Sequence, residues 1–217
     1  MTSIPKETTQ QKLTKAAIKV FAEKGFRDAT VRQICKQAGT ANINAVNYYF
    51  GSKEQLYKQI LELIFAEYDK QAPKDFPDKT PEEQLETYIS TFCKILYQEG
   101  DSDTTAILVE EFTRPSLFLE EMVDTFNRPR VKKVLKIIKS LLGGKATDDM
   151  ARDCLVSVSG QLLYYSFARP VFSRLFPDYF TENSHEQWAA HVFKFTMGGI
   201  EAYKRELETK GGDNNGD

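Results

Sequence analysis

Asn44, Asn47 and Tyr48 fall at spacings i, i+3 and i+4 in the stretch "NINAVNYYFGSKE" (residues 42–54). On a helix this spacing sets three side chains along one stripe. Their chemistry is neutral hydrogen bonding. An asparagine amide can pair with N6 and N7 of adenine, and a tyrosine hydroxyl can reach a phosphate oxygen. Ile43, Val46 and Phe50 occupy the adjoining stripe and are expected to face a core. Lys53 stands in the first turn of the next helix, where a phosphate would also meet exposed backbone N–H groups. Thr30 holds the equivalent place before a preceding short helix, with Arg32 and Lys36 beside it. These residue types point to groove reading by uncharged groups, with charge supplied from the flanks.

The charge distribution agrees. Residues 1–66 hold ten Lys/Arg against five Asp/Glu, net +5, whereas the remainder holds 19 against 26, net −7. An anionic partner is therefore expected for the first third alone. Hydrophobic content of 41% with 28% charged residues is that of a globular protein. The sequence contains no run of the roughly 18 apolar residues that a membrane span needs, and no apolar signal core opens it. A cytoplasmic protein without membrane partners is expected. Cys35, Cys93 and Cys154 are too far apart for a zinc spacing or a disulfide framework and read as small core residues. His185 and His191, six apart, cannot share a helix face as a metal pair. With no glycine-rich phosphate loop either, neither metal, cofactor nor catalytic residues are expected, and the chain does not read as an enzyme.

The elements that must position these groups are helical throughout. Leu13, Ala16, Ala17, Val20 and Phe21 mark one buried helix face, stopped by Gly25. Thr30 caps a second short helix that ends at Gly39, and a third spans about 43–49. Ser52 and Gln55 form a capping box that opens a fourth helix, with Leu56, Ile60, Leu63 and Ile64 inward. After a Pro-rich break at 72–80, helices are expected at 81–98, 104–114, 117–142 (kinked near Asn127 by Pro129), 147–168 and 184–209. The fold class is all-α. A helix-turn-helix DNA-binding domain is assigned to 8–54, with 52–70 as the connecting helix. A helical effector-binding and dimerisation domain follows at 80–209, then a disordered tail at 210–217.

"KAAIKVFAEKGFRDATVRQICKQAG" followed by "VNYYFGSKEQLY" closely resembles the DNA-binding domain of the TetR family of bacterial transcriptional regulators. The resemblance covers about residues 9–60. The form "NINAVNYYFGSKEQLY" is similar to a subgroup that controls efflux or stress genes. The resemblance implies a ligand-responsive homodimer, expected to act as a repressor released from a palindromic double-stranded DNA operator by a small-molecule effector. It implies phosphate contacts at Thr30, Tyr48 and Lys53, and groove reading between Ala41 and Asn47, so that Ala41, Asn42, Asn44 and Asn47 join Arg32 as DNA-binding candidates.

The helices of 147–168 and 184–209 carry apolar residues on two sides and so need two coverings. A second subunit would supply one, through Leu155, Ser159, Leu162, Val192, Phe195 and Gly199, and two reading heads about 34 Å apart would suit a palindrome. Tyr97, Phe112, Phe126 and Tyr164 are candidates for an effector pocket, and Glu110, Glu111 and Arg114 could orient a polar ligand or lie in solvent. The rival reading is a helical protein-interaction module without DNA binding.

Overall fold

Reciprocal side-chain caps decide where several helices begin. Thr8 Oγ1 accepts from Gln11 N while Gln11 Oε1 accepts from Thr8 N, opening α1 (Thr9–Asp28). Thr30 and Gln33 repeat the arrangement at α2 (Val31–Gln37). Thr80 and Glu83 do so at α5 (Pro81–Tyr97). Thr147 caps α9 (Asp148–Leu175) through Met150 N. Each cap satisfies N–H groups that a helix start leaves without an internal acceptor. The other helices are α3 (Ala45–Phe50), α4 (Lys53–Gln71), α6 (Ser102–Thr113), α7 (Leu119–Met122), α8 (Arg128–Leu142) and α10 (Ser184–Gly212). The computed structural model describes residues 7–71, 78–97, 102–179 and 184–212, and no strand occurs among them. Of the expected Pro-rich break, residues 72–77 lie outside the described residues. The tail expected from residue 210 is helical as far as Gly212, and 213–217 lie outside them.

The chain divides into two compact units, residues 1–67 with 100–124, and residues 68–99 with 125–217. The sequence places 80–209 in one C-terminal domain, but α6 and α7 belong to the first unit, where α6 packs on α1. Ile107 of α6 is fully buried there, and two glutamates of α6 bond to α1 and α4. These partners lie more than 50 residues away in sequence, so no local pattern reveals them. Helix α4 passes from the first unit to the second between Glu67 and Tyr68.

In the first unit, Leu13, Ala17 and Phe21 of α1 are buried with Ile34 and Cys35 of α2, Val46 and Phe50 of α3, and Leu56 and Ile60 of α4. The inward stripe of α4 differs from the expected one. Tyr57, Leu61 and Phe65 complete it, while Leu63 is 57% exposed. In the second unit Leu85, Ile89 and Cys93 of α5 are buried in one cluster with Val134, Ile138 and Leu142 of α8, Val158 and Leu162 of α9, and Trp188, Val192 and Ile200 of α10. The kink expected near Asn127 is a π-helical turn, Val123–Asn127, which runs directly into α8 with Pro129 in its first turn. Helix α9 runs on through Pro170 to Leu175, seven residues past its expected end. The three cysteines are buried and free, and burial pushes the Cys93 thiol up to about 12.

Ile138→Ala should cost about 2–5 kcal/mol by removing a fully buried side chain. Urea unfolding followed by the fluorescence of Trp188, which lies in the same cluster, would measure it.

Candidate nucleic-acid interface

The segment between α2 and α3 is built from its own side chains. Gly39, at φ 69°, turns the chain out of α2, and the Thr40 N–H closes on the Cys35 carbonyl at 3.0 Å. Thr40 Oγ1 then accepts from Asn42 N at 3.3 Å, and Asn42 Oδ1 accepts from Asn44 N at 3.0 Å. The second bond is an Asx turn, and it delays the helix. Helix α3 begins at Ala45, two residues later than the sequence predicts, and Ala45 rather than Ile43 holds the inner face with Val46 and Phe50.

Ile43 is 58% exposed, which corrects its assignment to the core. Ala41, Asn42, Asn44, Asn47 and Tyr48 are all exposed as expected. Ile43 and Tyr49 join them, and the Tyr48 and Tyr49 rings meet edge to face at 4.9 Å. The signal for Ile43 was Asn42, whose side chain takes up the N–H two residues on and so excludes Ile43 from the helix. An exposed aliphatic group among asparagines adds a contact suited to a thymine methyl. The face therefore offers neutral donors and acceptors beside an apolar group.

The flanks are more constrained than the sequence implies. Arg32 is exposed in the first turn of α2, but Thr30 directs its hydroxyl to Gln33 Oε1 at 2.9 Å. Lys53 Nζ donates to the carbonyls of Phe26 and Ala29, each at 2.8 Å, and lies 4.7 Å from the centre of the Phe26 ring. The Arg27 carbonyl lies at 3.5 Å, so all three donors of the ammonium are directed at the end of α1. Lys53 serves first to neutralise carbonyls at the end of α1 and tie them to the start of α4. Glu54's own backbone N–H, then Ser52 and Lys53, hold its carboxyl below the usual range.

Glu110 and Glu111 anchor this assembly from α6. Gly25 interrupts α1 at φ 78°, and Glu110 Oε2 accepts from Phe26 N, the first amide after the break, at 3.2 Å. A Cβ on Gly25 would lie 2.2 Å from Glu110 Oε1, so glycine is required both for the backbone and for the carboxyl. Glu111, only 1% exposed, accepts from the Tyr57 hydroxyl at 2.9 Å, from Ser116 N at 3.0 Å and from Ser116 Oγ at 2.8 Å. Burial first, and then Glu111, push the Tyr57 hydroxyl far above the usual tyrosine range, keeping it a donor. Lys58, the next residue of α4, pairs with Glu121 at 2.8 Å. Glu110 and Glu111 thus belong to the first unit's scaffold, which corrects their candidacy as ligand-orienting groups. Exposed Arg114, just past α6, meets Glu110 only through its backbone N–H, which donates to the Glu110 carbonyl at 2.7 Å.

Of the effector-pocket candidates, Tyr97 is in the core of the second unit with its hydroxyl bonded to the Leu162 carbonyl at 2.5 Å, and Tyr164 is 59% exposed. Phe112, 42% exposed, lies in the first unit, whereas half-buried Phe126 lies in the second. Of the dimer-face candidates, Leu155, Leu162 and Val192 are buried within their own chain and Ser159 is half-buried. Phe195 and Gly199 are exposed. Helices α9 and α10 each turn one apolar stripe into their own core, so an apolar position alone did not tell which stripe was free.

Residues 13–60 match the family of bacterial regulatory proteins named for tetR. Residues 81–200, more than half of the chain, match the C-terminal domain of the HTH-type transcriptional dual regulator CecR. The chain belongs to the TetR family. The HTH-type transcriptional repressor NicS of Pseudomonas putida is 36% identical over 104 residues, 48% of this chain and 49% of that protein, so the chain spans about half the length of this relative. A TetR-like transcriptional regulator from Rhodococcus sp. RHA1 shares the fold at TM-score 0.69 and 16% identity, over 92% of this chain and 99% of that one. AibR, solved with isovaleryl coenzyme A and operator DNA, gives TM-score 0.67 at 14% identity, over 87% and 97%. No described helix is long and apolar enough to cross a membrane.

For this TetR-family chain the anchor at Gly25 generates a specific expectation. Gly25→Ala should destabilise by about 1–3 kcal/mol, from positive φ and from the displaced carboxyl. In a double-mutant cycle with Glu110→Ala, the steric part should vanish and the backbone part persist, giving a coupling above about 0.5 kcal/mol by urea unfolding.

Proposed function

We propose that the chain is a homodimeric transcriptional repressor that reads a palindromic operator and is released from it by a small-molecule effector, acting in the bacterial cytoplasm. The observation that carries this reading is the exposed face of residues 41–49, presented by a turn whose backbone is held by Thr40 and Asn42. Asn44, Asn47 and Tyr48 supply base and phosphate contacts, Ile43 an apolar one, and Arg32, Lys36 and Lys53 supply charge. The name of NicS as a repressor supports the direction of regulation.

Pairing rests on a stripe that a single chain leaves uncovered. Val156 (70% exposed), Gly160 and Tyr164 line α9, and His191, Phe195 (66% exposed), Gly198 and Gly199 line α10. A Cβ added at Gly160, Gly198 or Gly199 would meet nothing within 4 Å. Their own chain does not need those glycines, and a close-packed partner helix would. A symmetric bundle of two α9–α10 pairs satisfies this.

The effector would act from the second unit, as isovaleryl coenzyme A accompanies operator DNA in AibR. Within the first unit Tyr57 and Lys58 fasten α4 to Glu111 and Glu121. Within the second, Arg130 bonds to Asp69 at 2.6 Å and covers the Tyr68 ring at 3.7 Å. Helix α4 is thus gripped separately at each end, and its orientation is the quantity a bound effector would bias. A coupling of about 1–3 kcal/mol would change operator affinity roughly 5- to 150-fold.

Fluorescence anisotropy with the protein's own upstream DNA tests the reading. Asn47→Ala and Tyr48→Ala should each weaken specific binding by about 1–3 kcal/mol, and affinity should fall steeply with salt. Absence of salt-dependent binding at low ionic strength would instead favour a protein-interaction module. Phe195→Glu should yield monomers in sedimentation velocity and lose the palindrome while keeping its helical circular dichroism.

A further inference from the structure

The second unit carries a basic patch that the operator-reading face does not use. Residues 128–145 contain Arg128, Arg130, Lys132, Lys133, Lys136, Lys139 and Lys145 and no Asp or Glu, although the chain as a whole has net charge −2. Seven cations without a carboxylate over 18 residues is a local reversal of sign in an acidic body. Lys132, Lys136 and Lys139, at spacings i, i+4 and i+7, fall on one face of α8. That face lines an open groove of about 680 Å3 together with Ser140, Gly143, Gly144, Ala146, Asp148 and Arg152.

Four of the groove's ten lining residues are cationic and one is anionic. Asp148 pairs with Lys139, and that lysine holds its carboxyl below the usual range. Arg152 pairs with Asp149 at 2.7 Å on the exposed surface. Lys132 and Lys136 have no ion pair among the described residues. The groove thus retains positive charge, and its lining includes the Ser140 hydroxyl and two glycines. A Cβ on Gly144 would meet nothing within 4 Å, and its backbone is not in the left-handed region. Neither packing nor conformation therefore requires glycine at this position, whereas close approach of a ligand to the backbone would.

We propose that this groove binds a small molecule bearing a diphosphate or longer oligophosphate, of the nucleotide or coenzyme-ester class. Its size is within the ~300–1,000 Å3 of small-molecule sites, and it is concave, whereas a duplex would require an extended basic face. Lysine ammonium groups recognise phosphate as point charges. Lys132 and Lys136, the two without an ion pair, stand about one turn apart on α8, a rise of roughly 6 Å, which lets them engage linked phosphates together. The groove involves no residue of the 41–49 face, so it stands or falls independently of operator reading.

Isothermal titration calorimetry of the full chain with inorganic pyrophosphate, ATP and coenzyme A, at constant ionic strength, tests the proposal. Each is expected to bind, and the double variant Lys132→Glu/Lys136→Glu should weaken binding by about tenfold or more. Charge reversal at exposed Lys94 on α5 should not. Unaltered circular dichroism would show that the double variant folds, and single variants Lys132→Gln and Lys136→Gln give intermediate losses if it does not. Equal binding by wild type and variants, or binding of orthophosphate as tight as of pyrophosphate, would overturn it. So would a variant that loses affinity for DNA while the three phosphate compounds give no heat with wild type.

Discussion

A carboxyl pair on α6 is what the first unit is built around. Glu110 supplies the acceptor for an amide left open when Gly25 breaks α1, and Glu111 sits almost wholly out of water with three donors gathered on it. A buried carboxyl short of donors costs several kcal/mol, so the groups that satisfy it must hold their positions together. Tyr57 fixes the rotation of α4, Ser116 fixes the chain leaving α6, and the tight approach at Gly25 fixes the end of α1. Lys53 closes the same circuit from below by bonding the carbonyls of Phe26 and Ala29. The reading face rests on helices whose ends are tied to one another by polar bonds rather than by apolar contact alone.

This arrangement also assigns roles that compete. A lysine that neutralises the end of α1 has less capacity for a phosphate, and a threonine that closes a capping box has its hydroxyl directed at a glutamine. Positioning and contact are therefore shared unequally along the face. Thr30 and Lys53 mainly hold helices, while Ala41 to Asn44, Asn47, Tyr48 and Tyr49 are left with solvent-facing groups. The face is neutral, and its surroundings in residues 1–66 carry the net +5 that would draw it to an anionic duplex.

In the second unit the division is between stripes of the same helices. Val158, Leu162, Val192 and Ile200 close the core, and Val156, Tyr164 and Phe195 remain outside it. The aromatic group Tyr97, Tyr165 and Trp188 is packed ring on ring, with Tyr165 and Trp188 stacked at 5.0 Å. Of the pocket candidates, Tyr97 is thus part of this core. The basic stretch on α8 lies at this unit's surface, opposite in sign to most of the body around it.

Helix positions, caps and the reading segment were legible in the amino acids because each depends on neighbours within four residues. Thr30 and Thr80 announce helix starts with a partner three places on, and the Pro129 break and the exposed asparagines follow from equally local patterns. The family motif was legible for the same reason. What the sequence could not determine was which distant surfaces meet. The transfer of α6 to the first unit depends on Glu110 and Glu111 finding α1 and α4, and the depth of Leu155 and Val192 depends on which stripe faces inward. Ile43 lies between these cases, since one Asx bond two residues long turned an apparent core residue outward. Local hydrogen bonding is written in short-range order, whereas the burial of a side chain is decided only when remote segments compete to cover it.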